Sequence, residues 1–469
     1  TTFVIGASSF GGDAKFRGQF GQRVDEDDPG KAAGVSGTYG PFKKMANTAN
    51  ATLGATTFNY DQKLTLSTSF TGKDLLKARL RAGNFGPSSF GFSASSGIYN
   101  PLGDDYITPS GLEVASETGN TVTIDRLFYQ FPLGSEFTIT AGGLVRQDDM
   151  LAVWPSAYPS DTVLDYFTYA GAPGAYNLAT GAGAGISWAK NGWSVSANYV
   201  STNGNSADTA ETTTYARQFN DGDYFYSVTR SCNGGGIATD CSSATGTVQI
   251  AYTADQWGVA AAYNYSSQAN GNMNQATATP LATAVGGLGN TNSVGLSAYW
   301  SPEESGWIPS VSGGWGLNTT TGADYGSGYE DDANGNKINK GDAASTLFGY
   351  EFDSATTQSW YVGLQWSDVF IKGNSAGMAV GQQGFVTALD LSGNRDEAAA
   401  QGLGKNASAA EKRLVRDGNY AMEWWYMFQV TDNISVTPAV FYMSRPLGAA
   451  TQGETFNQFG GLVKTTFNF

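Results

Sequence analysis

In "LLKARLRAG" (75–83) the basic residues Lys77, Arg79 and Arg81 stand at every second position. Successive side chains of an extended chain point to opposite faces, so the three cations share one face. A row of fixed cations attracts anions and eases their passage through a narrow point. Parity adds neighbours to the row. "LTLSTSF" (64–70) sends Leu64, Leu66, Thr68 and Phe70 to one face, leaving Lys63, Thr65, Ser67 and Ser69 on the other. "FTITAGGLVR" (137–146) places Phe137, Ile139, Ala141 and Val145 on one side and Arg146 on the other. Arg126 in "TIDRLFYQF" is ambiguous by parity, and a bulge near Asp125 would put it with the other cations. Arg445 and Lys464, near the end of the chain, extend the same wall. The row is thus read as an electrostatic filter, with scattered charges that merely keep a channel wet as the alternative.

A second constellation is aromatic. Residues 147–179 form a long connection holding Trp154, Tyr158, Tyr166, Phe167 and Tyr169, together with Asp161 and Asp165. A solvated surface loop has little use for so many rings. Folded inward they would pack on a wall and narrow the space beside it, with Asp161 and Asp165 facing the cations. The other reading is a cap over the molecule or a contact with a neighbouring subunit.

Much other chemistry is removed, although paired-carboxylate chemistry is not excluded and shows no cleft signature. The 469 residues include no histidine, which removes Ser-His-Asp and Cys-His nucleophiles and weakens most transition-metal sites. An enzyme is therefore not expected, and neither is a cofactor. The formal net charge of -15 argues against nucleic acid, whose phosphates need a basic footprint. Cys232 and Cys241 lie in a polar, glycine-rich stretch, where a loop-stapling disulfide and an oxidising compartment are expected. The acidic runs "VDEDDPG" (24–30) and "YEDDANGNKINKGD" (329–342) leave divalent-cation binding open, although solvated charge explains them and the second lacks EF-hand spacing. "GAGAG" (181–185) opens a strand, so it is no dinucleotide fingerprint. "SAAEKRLVR" (408–416) reads as a short helix with Ser408 and Glu411 as its capping box.

The elements that must position these residues are strands. Gly 62, Phe 26, Tyr 24 and Trp 11 fit an aromatic β-protein with many turns, and no apolar run is long enough for a membrane helix. Alternating segments of membrane-strand length recur near 2–10, 55–70, 74–83, 121–131, 135–146, 180–189, 193–202, 246–253, 256–266, 291–301, 308–317, 357–367, 376–384, 419–430, 433–443 and 457–469. Connections alternate strictly between short, such as "KNG" (190–192) and "TDN" (431–433), and long, such as 203–245. That alternation belongs to an outer-membrane barrel with tight periplasmic turns and long external loops. Residues 1–469 therefore read as one domain, an all-β transmembrane antiparallel β-barrel of about sixteen strands with its third external loop folded inward. An arginine facing lipid at midplane costs about 2–4 kcal/mol, which settles Arg126 inward. Aromatic pairs bracketing the short turns (Trp188 and Trp193, Tyr252 and Trp257, Trp300 and Trp307, Trp366 and Phe370) would form the periplasmic girdle.

Several stretches are more specific. "SFTGKDLLKARLRAGN" (69–84), "IDRLFYQFPLG" (124–134), "VTDNISVTPAVFYMSRPLG" (430–448) and the terminal "TTFNF" resemble the cyanobacterial outer-membrane porins, often labelled iron-uptake porins and related to the carbohydrate-selective porins. The resemblance runs from about residue 50 onward. It implies a homotrimeric passive channel for small solutes, mainly inorganic ions, set among outer-membrane lipid and lipopolysaccharide. Members usually carry an N-terminal surface-layer-homology segment, so wall anchoring is expected only where such a segment precedes these residues. The chain begins "TTFVIG" without Met, as a processed or truncated product does. Nothing here supports iron as the solute. The reading is a diffusion porin with a weak anion preference; a sugar-specific porin and a non-conducting structural barrel are its rivals.

Overall fold

The computed structural model describes residues 1–12, 41–92, 98–99, 106–107, 110–160, 163–207, 213–218, 224–230, 235–239, 242–268, 270, 273–274, 276–304, 306–322, 324–331, 337–344, 346–347, 350–392, 417–451 and 455–469. Alternation of apolar and polar side chains produces sixteen long strands: Thr2–Gly12 (β1), Thr57–Thr68 (β2), Leu75–Gly83 (β3), Thr123–Leu133 (β4), Phe137–Arg146 (β5), Thr180–Lys190 (β6), Trp193–Ser201 (β7), Ala244–Thr253 (β8), Trp257–Ser266 (β9), Gly289–Trp300 (β10), Ser310–Gly322 (β11), Tyr350–Ser367 (β12), Ser375–Ser392 (β13), Tyr420–Thr431 (β14), Ile434–Ser444 (β15) and Phe456–Phe467 (β16). Each pairs antiparallel with the next. The last returns to the first, from Thr2↔Thr466 to Gly12↔Phe456, so the barrel is closed and no ladder of N–H and C=O groups is left open.

One face of each strand looks outward and is apolar. Leu64, Leu66, Ile124, Leu127, Ile250, Leu296 and Val463 are all exposed. A contiguous belt of this kind suits lipid and not water. Rings collect beside the short turns: Tyr252 meets Trp193 and Trp257 at 5.1 and 5.3 Å, and Phe370 meets Trp307 and Tyr426 at 6.3 and 6.1 Å. Phe469 is 93% exposed at the same rim.

Two bulges set the faces of the charged strands. Between β3 and β4 the pairing runs Arg79↔Arg126 and then Leu80↔Ile124, which skips Asp125 and turns Arg126 into the lumen. Between β4 and β5 it skips Gly143, running Leu127↔Leu144 and then Phe128↔Gly142. The second bulge overturns one expectation. Val145 does not face lipid; it is fully buried with Phe128, Met150 and Val200.

The turn from β2 to β3 shows how the short connections hold. Asp74 accepts from Ser69 Oγ at 2.7 Å, Thr71 N at 2.8 Å, Phe70 N at 3.0 Å and the Tyr129 hydroxyl at 2.5 Å, while Gly72 takes the positive φ of 78° the turn requires. The Tyr129 hydroxyl, with Ser69 and Thr71, holds the Asp74 carboxyl well below the usual carboxylate range. Its contribution is therefore present above the ordinary carboxylate pKa and lost as pH falls through the depressed value. Asp74→Ala is expected to lower the temperature at which the folded barrel disappears on a semi-native gel by several degrees.

Long connections lie at the other end. Helix α1 (Pro41–Leu53) and helix α2 (Pro280–Gly286) were not anticipated from the sequence. Ala46, Ala49 and Leu53 of α1 join Leu281 and Val285 of α2, Leu447 and Phe456 in one buried apolar cluster. Asp417 ties these loops together, accepting from Thr279 Oγ1 at 2.5 Å, Ala449 N at 2.7 Å and Val386 N at 2.8 Å.

Candidate functional site

The inner face of β2 to β5 is a charged wall, and its cations are paired. Lys63 and Arg81 share Asp61, at 3.2 and 2.8 Å. Arg79 is bonded to Asp125. Arg126, only 2% exposed, bridges Asp149 at 2.8 Å and Asp125 at 3.2 Å. Lys77 stands 3.7 Å from Asp149 and 5.5 Å from the centre of the Phe128 ring. Arg146 grips Asp148 through Nε and Nη2. Burial pushes the Asp148 carboxyl up, but Arg146 beside it outweighs burial and holds it below its ordinary value. The wall is a two-signed ladder with more cations than aspartates.

The third external loop (147–179) folds into the barrel against the opposite wall. Tyr158, Tyr166, Phe167 and Tyr169 are buried, and Trp154 packs edge-on to Tyr176 at 5.2 Å. Hydroxyls of the wall receive the loop backbone: Ser196 Oγ accepts from Ala152 N at 2.8 Å, Ser312 Oγ accepts from Ala157 N at 2.9 Å, and Ser297 Oγ donates to Ala170 O at 2.9 Å. Glu423 of β14 is a further anchor. It is fully buried and accepts from the Tyr158 hydroxyl at 2.6 Å and Leu164 N at 2.7 Å, while Trp425 Nε1 donates to that hydroxyl at 2.8 Å. Glycines make room. A Cβ at Gly363 would lie 2.6 Å from the Tyr158 ring, and one at Gly314 would collide with the Ala170 carbonyl.

The second external loop also enters the lumen. Leu112 bridges Leu164 in antiparallel fashion, Asp165 N donates to Gly111 O at 2.9 Å, and Glu113 N donates to Val163 O at 3.2 Å. The two loops and the charged wall enclose a cavity of about 540 Å³, lined by Arg81, Glu113, Asp125, Arg126, Arg146, Asp148, Trp154, Asp165 and Tyr169 among others. Burial, reinforced by Glu113, pushes the Asp165 carboxyl up to about 7. Its neutral form is the one that packs. The resulting stability is fully present below the ordinary carboxylate pKa and is lost as pH rises through about 7. Protonation removes a negative charge from the cavity. A shift of selectivity toward anions is expected when pH falls from about 8 to about 6, and Asp165→Asn should flatten that dependence. A salt-gradient reversal potential at each pH reads it.

The sequence-derived residues therefore separate into groups. Lys63, Lys77, Arg79, Arg81, Arg126 and Arg146 are gathered on one wall. Lys464 is buried and inward between Val4 and Thr437, on the neighbouring strands. Arg445 is displaced from the wall. It follows β15 in the left-handed conformation, φ 51°, with its N–H donating to Phe456 O at 2.8 Å, near Asp417 at the outer mouth. Strand β15 ends at Ser444, which releases Arg445 into the loop. Asp165 lies in the constriction, though its raised pKa weakens the charge expected of it. Asp161, Cys232, Cys241, the run 24–30, part of 329–342 and the segment 408–416 lie outside the described residues. Among the described residues no group of three His, Cys, Asp or Glu gathers as metal ligands. Sequence reasoning missed Asp61, Glu113, Asp148, Asp149 and Glu423. Asp61 shares the face of Lys63 by parity, and that signal was available; Glu113 had none.

No protein-family model matches the chain. An uncharacterized protein of Synechocystis sp. is 25% identical over 419 residues, covering 88% of this chain and 64% of that protein. An uncharacterized protein of Nostoc sp. is 25% identical over 430 residues, covering 88% of this chain and 61% of that protein. The chain thus spans less than two thirds of the length of these curated relatives. Among solved structures, OprB of Pseudomonas putida has a TM-score of 0.47 at 11% identity, covering 100% of this chain and 93% of that one. The anion-selective porin of Comamonas acidovorans has a TM-score of 0.42 at 10% identity, covering 100% and 99%. The chain is a closed sixteen-stranded antiparallel barrel, and these similar structures include bacterial porins.

Proposed function

We propose that the chain is an outer-membrane diffusion porin that passes small hydrophilic solutes, mainly inorganic ions, with a weak preference for anions. One observation carries the reading: a polar lumen in a closed barrel, narrowed by an anchored inward loop to a charged cavity of about 540 Å³. The preference is weak because each wall cation has an aspartate beside it, and it favours anions because cations outnumber those aspartates. The outward apolar belt and the collar of rings support a bilayer setting. Homotrimeric assembly is proposed with it, on the sequence resemblance above. The test is reconstitution into a planar bilayer. Discrete ohmic steps are expected, whereas a plugged structural barrel gives none. Trp154 and Tyr169 beside the cavity favour sugar as a second reading, and saturable block of the steps by a sugar would establish it.

A further inference from the structure

We propose that the constriction is a binding subsite for small zwitterions, solutes of the α-amino-acid class that carry an ammonium and a carboxylate on one short frame. The inference rests on the barrel being an open channel. The cavity of about 540 Å³ falls within the range of about 300–1,000 Å³ typical of small-molecule sites.

Two charged groups of opposite sign face into it with bonding capacity unspent. Glu113 is supplied by the second external loop, and its Oε2 is enclosed with no hydrogen-bond partner among the described residues. An enclosed carboxylate oxygen without a donor is costly, and an ammonium or hydroxyl hydrogen would relieve it. Arg146 is supplied by the end of β5. Its Nε and Nη2 hold Asp148, while Nη1 donates no hydrogen bond among the described residues, and its side chain is 27% exposed. Glu113 is near enough to interact electrostatically with both Arg146 and Arg81. Tyr169 and Asn274 add neutral polar groups to the lining.

The arrangement discriminates by pairing and not by net sign. An inorganic anion gains Arg146 and is repelled by Glu113. A cation meets the reverse, and a neutral polyol gains neither charge-assisted bond. A zwitterion places its carboxylate on Arg146 and its ammonium on Glu113 together. Net charge still sets the weak ion preference.

Proteoliposome swelling tests this with two solutes of similar size, glycine and glycerol. Wild type is expected to admit glycine roughly threefold faster than glycerol. In Glu113→Gln and in Arg146→Gln the glycine-to-glycerol ratio should fall toward one. A variant that merely loosened the loops would speed both solutes and leave their ratio unchanged. Equal rates in wild type, or a ratio unaffected in both variants, overturns the zwitterion site while leaving the channel intact. Swelling in neither solute overturns the channel itself.

Discussion

Replacing Glu423 with alanine is expected to raise single-channel conductance roughly twofold or more, because it releases the loop that narrows the lumen. Among the described residues, Glu423 is the one side chain that accepts from both Tyr158 and Leu164 of the inward loop. Losing it removes an acceptor from the Tyr158 hydroxyl and one from the Leu164 N–H, at about 1–3 kcal/mol each. The rest of the loop is held by wall hydroxyls and by apolar packing of Tyr166 and Phe167. The loosening should therefore be local, with the barrel itself intact on a semi-native gel. Glu423→Gln keeps an acceptor in place and should give a smaller rise. Val440→Ala, on the lipid face of the next strand, should change nothing. An unchanged conductance in Glu423→Ala would show that this anchor does not set the aperture.

Arg126→Ala is expected to shift selectivity toward cations far enough to reverse the sign of the reversal potential in a salt gradient. Arg126 holds Asp125 and Asp149 at once and stands opposite Arg79 across the bulge. Without it, among the described residues, Asp149 keeps Lys77 at 3.7 Å and the Arg146 N–H at 3.1 Å, and Asp125 keeps Arg79 as its ion-pair partner. The wall then keeps five cations against Asp61, Asp125, Asp148 and Asp149, and Glu113, which lines the same cavity, cancels the remaining excess. Breaking a buried ion pair by removing one partner costs about 3–5 kcal/mol, so the folded barrel should also melt earlier. Arg126→Lys preserves the charge while losing the forked geometry, and it should keep the original sign of the potential.

Most of the architecture was legible because barrel strands obey one short rule. Alternation located all sixteen strands, and the strict exchange of short and long connections set their direction. The face of Arg126 was legible for the same reason: a cation cannot sit in lipid, so a bulge had to intervene. Val145 shows where parity stops. The bulge at Gly143 leaves no mark in a strand already rich in glycine, and the skipped residue turns Val145 inward. The aromatic loop announced its inward packing through composition, yet its anchor Glu423 looked like one more polar residue on a strand. The wall's aspartates were visible but were not weighed as partners. The contact of residues 111–113 with the third external loop depends on packing between two loops far apart in sequence, as at Leu112 and Leu164, and no local pattern encodes it. Helices α1 and α2 escaped for a similar reason, since tertiary contacts with Phe456 and Leu447 stabilise them more than their own sequences do.

The central claim is that a water-filled path crosses this barrel and is biased by its charged wall. The most direct measurement is the zero-current potential of the reconstituted wild-type protein in a potassium chloride gradient, recorded with its single-channel steps. The account predicts discrete ohmic steps and a small potential of the sign that favours chloride. Absence of steps, or a clear preference for potassium that Arg126→Ala leaves unchanged, would contradict it.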